Sequence, residues 1–401
     1  FVRSGALHAD DWSQFAPARL DLDGAWIRIP STQLANRTLS SISVKGVYGR
    51  LDLGGEIQTA YGIRSAFTDV NIAYVSGRMP AVHVTGDISL SDYGRITFVP
   101  GPTNAADGAA TYATLTAGGD INIGANSWIE AWSHPTNGAS CRFFARNMTV
   151  GAGGGITANS KGFGGNTDKK YTRAFGPDAA SAGSGISAGH GGYSSGGGAT
   201  IYNEGKASDD PAAPVLPGSG GHYGDGGRSG APGGGIVWVT LSGDCELNGR
   251  LTANGGNGPG SSARGGAGGT VRLEMPNGVL TGTGGAISAN GGNGQSGQER
   301  CSGAGGCIAV AYDRTKQAAL ASQPAIAISA AWYSGSMTGV AGVGTLHLPD
   351  ATLLTETFDA ESINNVHLLL GDWTGFPSGD VVVSNGVLRL GADCPGTLRF
   401  D

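Results

Sequence analysis

The stretch RLTANGGNG, residues 250–258, returns thirty-six positions later as AISANGGNG, residues 286–294. A looser copy, GITANSKGFGG, starts at Gly155. Each copy alternates apolar and polar residues and ends on asparagine and glycine. Alternation marks a strand with every second side chain turned inward. A strand this short buries almost nothing alone, but repeats stacked on one another share a continuous interior. Asparagine tolerates left-handed backbone and hydrogen-bonds along a stack, while glycine bends without steric cost, so Asn-Gly reads as the corner of each repeat.

The same period-two dyads recur through the chain: Val82/Val84, Ile88/Leu90, Ile96/Phe98, Ile121/Ile123, Met148/Val150 and Ile156/Ala158. Val237/Val239, Val271/Leu273 and Ile287/Ala289 follow. Turn formers separate them: TGD at 85–87, SDYG at 91–94, AGGD at 117–120 and SGD at 242–244. Two or three such strands with tight turns occupy roughly twenty residues per coil. Only DRTKQAALASQ, 313–323, reads as a short helix. The spacing therefore predicts an all-β solenoid. The glycine-rich excursions GGNGPGSSARGGAGG and GGNGQSGQERCSGAGG are expected as loops projecting from one side.

Composition narrows the function. Glycine supplies 74 of 401 residues, more than twice the usual share. Charged residues are 14% and apolar residues 39%, enough for a core and too apolar for wholesale disorder. A net charge of −6 argues against nucleic acid or an anionic membrane as the partner. No apolar run is long enough to span a bilayer, and FVRSGALHADDW lacks a signal core. Low charge with abundant Gly, Ser, Thr and Asn fits an extracellular, secreted or cell-surface address.

The succession GHGGYSSGGG (189–198), PGSGGHYGDGGRSGAPGGGIVWV (217–239), LNGRLTANGGNG, GAGGTVRLEMPNGVLTGTGGAISANGGNG and GAGGCIAVAYD resembles the glycine-rich parallel β-helix modules of large secreted bacterial proteins, pectin-lyase-like or adhesin-like. The resemblance covers about residues 110–350. It implies a right-handed parallel β-helix and an extracellular location.

Within that frame residues 1–75 read as an N-terminal cap or early coils, and 76–350 as the β-helix with an insertion at 160–232. Residues 351–401 resume ordinary strands and stop at LRFD in what reads as mid-coil, so a longer native chain is expected.

The insertion gathers most of the chemistry. NTD at 166–168, GHG at 189–191 and the pair Asp209–Asp210 resemble fragments of polygalacturonase motifs, which makes Asp168, His190, Asp209 and Asp210 catalytic candidates, with His222 of the same insertion beside them. Paired carboxylates serve glycoside hydrolysis, and Lys, Arg, His or Tyr bases serve elimination. The Asp pair follows GHG instead of preceding it, and the basic RIK element is missing. The competing reading is structural: Tyr193 and Tyr223 pack over glycine backbone, and His190 and His222 pin a long loop whose glycines are costly to order.

Tyr193, Tyr223 and Trp238 are the candidate sugar platforms, with Trp128 and Trp132 beside them; the parity of Trp238 opposes inward Val237 and Val239. No cofactor is required; calcium is the ion that Asp209, Asp210 and Asp225 would hold through hard oxygen ligands. Five cysteines are an odd number, and Cys301 and Cys307, flanking SGAGG, are the expected disulfide. The leading expectation is a non-enzymatic structural or adhesive scaffold: a stalk, surface protein or fibre subunit, able to self-associate end to end. The alternative is a polysaccharide lyase, a glycoside hydrolase or a carbohydrate binder, with the 160–232 loop walling a groove and a polysaccharide or cell-surface glycan as partner.

Overall fold

A computed structural model describes side chains at residues 81–83, 86–102, 112–166, 174–179, 188–192, 209–222, 230–259, 263–294, 302–332, 342–354 and 366–372, with further backbone strands between Val2 and Leu390. The fold is nearly all β. Strands fall into parallel sheets of eighteen, eleven and two members. Among the described residues one helix occurs, Arg314–Ala318, where the sequence predicts it.

The pairing repeats with a period of three strands. The first ladder runs through Ala81–Val84, Tyr112–Ala117, Ser140–Ala145, Ile236–Leu241, Thr270–Met275, Cys307–Tyr312, Gly344–Leu348 and Val366–Leu370. The second takes Asp87–Ser91, Ile121–Ile123, Met148–Val150, Cys245–Leu247 and Leu280–Thr281. The third takes Arg95–Val99, Trp128–Ala131, Gly155–Thr157, Arg250–Thr252, Thr283–Ser288 and Ala325–Ser329. Each strand bonds in parallel to the one three places further on, until the helix takes a strand's place and Thr283–Ser288 and Cys307–Tyr312 pair with the strand two places on.

Register places like on like. Ile96, Ile129, Ile156, Leu251, Ile287 and Ile328 form one column of the third ladder, every member at most 1% exposed. Leu115, Phe143, Val239, Leu273 and Val310 form another on the first. Inward side chains from all three ladders meet in a single core. Each large aliphatic buried there contributes roughly 1.5–3 kcal/mol, an advantage lost on slipping one residue, which would turn the whole set outward.

Two columns of Asx side chains run along the corners. Asn159 Oδ1 accepts the N–H of Asn254, Asn254 that of Asn290, and Asn290 that of Ala331, each at 2.7 Å. The three sequence copies are therefore stacked, and their asparagines bond along the stack as expected. Between the first and second ladders a parallel series runs Asp87 to Asp120 (2.8 Å), Asp120 to Asn147 (3.1 Å), Asn147 to Asp244 (2.9 Å) and Asp244 to Val279 (3.0 Å). Each side chain satisfies a backbone N–H that the corner leaves outside the strand ladders.

Where the second ladder runs out, the helix takes over. Asp313 caps it by accepting the Lys316 N–H at 3.0 Å. Buried Gln317 then bonds both backbone groups of Leu280, accepting its N–H at 2.8 Å and donating to its carbonyl at 2.9 Å. One side-chain amide stands in for the missing strand.

Two expectations need correction. Early partners are about twenty residues apart, as for Ile42 with Ile63, but Leu251 pairs with Ile287 thirty-six positions on. The extra length is glycine-rich chain, and its described parts do not project as loops. Described parts of 161–166, 188–192, 217–222, 230–235, 263–269 and 302–306 form no strand yet are almost entirely buried. They bond to one another: Gly162 N–H to Gly233 O (2.8 Å), Gly218 to Gly234 (2.8 Å), Gly234 to Ala267 (2.9 Å), Ala267 to Ser219 (3.0 Å), Gly268 to Ala304 (2.9 Å) and Ala304 to Ala188 (3.0 Å).

The result is a second packed layer made of backbone. Its segments lie so close that a Cβ at Gly266 would overlap the Pro232 carbonyl oxygen. Glycine is used here for its missing side chain, as at the crowded axis of collagen. Because buried N–H and C=O groups must be paired, the close approach and the bonding require each other.

Candidate functional site

Residues 214–216 of the insertion lie over the outer face of the first ladder. Thr270 Oγ1 donates to Leu216 O at 2.7 Å and Arg272 Nη1 reaches Pro214 O at 3.5 Å. Of the catalytic candidates, the structure brings His190 and Asp209 together, Nε2 to Oδ2 at 3.4 Å, with side chains 1% and 4% exposed. His190 Nδ1 lies 3.0 Å from the Gly268 carbonyl. Asp209 Oδ2 accepts the N–H groups of Val215 (2.8 Å) and Leu216 (2.7 Å), and its Oδ1 accepts that of Asp210 (3.1 Å).

All these partners are structural. Asp209 folds the chain at 209–216, and His190 ties that turn to the glycine layer. Asp210 is exposed and accepts the Ala212 N–H at 3.0 Å. His222 is buried in the glycine layer, 6% exposed. Asp168, Tyr193, Tyr223 and Asp225 lie outside the described residues. Among the described residues no group of three or more His, Cys, Asp or Glu is placed to hold a metal ion.

Cys307 sits beside this knot, its Sγ packed close to Gly191. It carries a free, fully buried thiol, so the expected disulfide to Cys301 is not formed, and Cys301 lies outside the described residues. The cause is local: Cys307 opens a strand paired on both sides, and its side chain is enclosed between that strand and the 188–192 segment. Burial pushes the thiol up to about 12, and the carboxylates of Asp209, Asp178 and Asp210 push the same way. That is the reverse of what activates a nucleophile.

A different cluster emerges on the outer face of the first ladder. Arg142, Trp238 and Arg272 are register partners on successive strands. The Arg142 guanidinium lies 3.8 Å from the Trp238 ring centre and that of Arg272 lies 4.3 Å from it. Tyr112 meets the same indole edge-on at 5.1 Å. Arg142 also lies 4.9 Å from the Phe144 ring and 5.5 Å from that of Tyr112. Trp238 Nε1 donates to Glu274 Oε2 at 3.0 Å.

The outward parity of Trp238 is thus right, but its ring is 5% exposed and stacked between guanidinium groups, so it is no open platform. Its cover comes from Arg142 and Arg272 on the two adjoining strands and from Tyr112. Trp128 and Trp132 are half-buried, and the Lys161 ammonium stands 3.6 Å over the Trp132 ring. Arg142, Phe144, Arg272 and Glu274 were not singled out from the sequence. The usable signal was register: aligning CRFFA, IVWVT and TVRLE by their inward residues puts Arg142, Trp238 and Arg272 in one row.

Burial works against ionisation of Glu274, but hydrogen bonds from Trp238, Arg272 and Thr240, with the charge of Arg272, outweigh it and hold the carboxyl below the usual range. Among the described residues no helix is long and apolar enough to cross a membrane. The chain matches no protein-family model, no curated protein and no solved structure.

Proposed function

We propose that the three ladders close around their core as a right-handed parallel β-helix, and that the protein is an extracellular, non-catalytic scaffold. Parallel crossovers are right-handed in nearly all sheets, which supplies the hand. The observation that carries the functional reading is the fate of His190 and Asp209. The histidine–carboxylate pair is almost inaccessible, and its partners are the backbone groups of Gly268, Val215 and Leu216. Chemistry-bearing side chains are spent on holding glycine-rich chain in place, which is what a stiff body requires. Stacked repeats at about 4.8 Å each would make an elongated particle, and copies meeting at open ladder edges would make a filament.

The test is to incubate purified protein with a panel of uronic-acid and sulfated polysaccharides while imaging it in negative stain. Elongated particles without release of oligosaccharide support the scaffold. Product formation overturns the non-catalytic reading, and monodisperse monomers at high concentration overturn the filament. A second reading, carbohydrate binding without catalysis, is favoured by the arginine–aromatic cluster around Trp238.

A further inference from the structure

The geometry points to Arg142 as the anchor of a binding site for one carboxylate- or sulfate-bearing sugar on the outer face of the first ladder. This rests on the carbohydrate-binding reading above and names its ligand class and contact residue. Two arginines and one glutamate meet at Trp238, and the glutamate is fully used. Glu274 Oε1 accepts Arg272 Nε (2.9 Å) and Nη2 (2.5 Å), while Oε2 accepts Trp238 Nε1 (3.0 Å) and Thr240 Oγ1 (2.8 Å). Among the described residues no carboxylate bonds directly to Arg142: its Nε is buried without a hydrogen-bond partner, and neither Nη makes a hydrogen bond or ion pair.

A half-buried cation held only by ring faces gains from an anion that water does not replace well. Burial works against the charge on Arg142, the nearby Glu274 carboxylate favours it without bonding to it, and Arg272 opposes it. Its planar fork offers two parallel N–H donors, the geometry that carboxylate and sulfate oxygens accept. The half-buried rings of Tyr112 and Phe144 beside it give flat apolar surface for the C–H face of a sugar. Arg272 on the neighbouring strand clamps Trp238, so the platform is fixed before a ligand arrives. With a net charge of −6, the chain as a whole does not attract polyanions, so the site reads one acidic group.

The experiment is calorimetric titration of the full chain with digalacturonate, glucose 6-sulfate, cellobiose and sodium sulfate, repeated on Arg142→Lys and Arg142→Met. Melting curves establish that each variant is folded. The expected result is binding of the acidic sugars and not of cellobiose, weakened about 10-fold or more in Arg142→Lys, which keeps charge but loses the fork, and lost in Arg142→Met. Should Arg142→Met fail to fold, Arg142→Lys alone decides. Acidic sugars that bind wild type and both variants equally overturn the role of Arg142 while leaving carbohydrate binding standing. No binding of any sugar to wild type overturns both. Sodium sulfate binding as tightly as glucose 6-sulfate overturns the sugar part of the assignment.

Discussion

Asn254 Oδ1 accepts the backbone N–H of Asn290 at 2.7 Å, and the two residues are the same position in consecutive copies of the repeat. The bond ties one corner to the next where no strand ladder can. With Asn159 below and Ala331 above, it belongs to a series that ends where alanine replaces asparagine. Replacing Asn254 by Ala removes the acceptor from a half-buried N–H and is expected to cost about 1 kcal/mol in denaturant unfolding. Asn254→Asp, which keeps the acceptor oxygen, is expected to stay closer to wild type. Equal losses in the two variants would show that the side-chain oxygen is not what matters.

The glycine layer predicts a sharp contrast between two substitutions. Gly266→Ala drives a Cβ into the Pro232 carbonyl, so a folded product is not expected in circular dichroism or in soluble yield. At Gly164 the nearest atoms to an added Cβ stand at 3.5 Å, ordinary contact, and Gly164→Ala is expected within about 1 kcal/mol of wild type. Similar stability for both variants would contradict the packing.

Glu274 gives a pH signature. Its hydrogen bonds and Arg272 hold the folded carboxyl below its unfolded value, so its contribution is present above about pH 4.3 and fades as pH falls through the lower folded value. Wild type is expected to be more stable than Glu274→Gln near neutrality, the difference closing in acid. A difference that persists unchanged below pH 3 would show that the charge plays no part.

Thiol chemistry supplies an independent check. Cys141, Cys245 and Cys307 are free and buried; burial pushes Cys245 and Cys307 up to about 12 and Cys141 well above its ordinary value. At pH 8 these three are expected to resist alkylation in native protein and to react together on unfolding, read by peptide mass spectrometry. Rapid native labelling of Cys307, or its recovery as a disulfide peptide, would contradict the enclosed thiol.

The strands were legible because alternation has a period, and dyads such as Ile287/Ala289 are buried as read. The asparagine series was legible because ITAN, LTAN and ISAN are visible copies. The glycine layer was not. Glycine leaves no pattern of side chains, and bonds such as Gly218 to Gly234 or Ala304 to Ala188 join segments whose spacing follows no repeat. Nor could the sequence show that Asp209 collects backbone N–H groups six and seven residues ahead. Trp238 was placed on the correct side, but the residues that cover it come from positions 112, 142 and 272.

The glycine-rich segments themselves offer the most direct measurement. In hydrogen–deuterium exchange of the intact chain, amides in 217–222, 230–235, 263–269 and 302–306 are predicted to be protected on the scale of the flanking strands Ile236–Leu241 and Thr270–Met275, because they are buried and bonded to one another. Exchange of these segments within seconds, while the strands stay protected, would mean that they are loops and would contradict a second layer built of backbone.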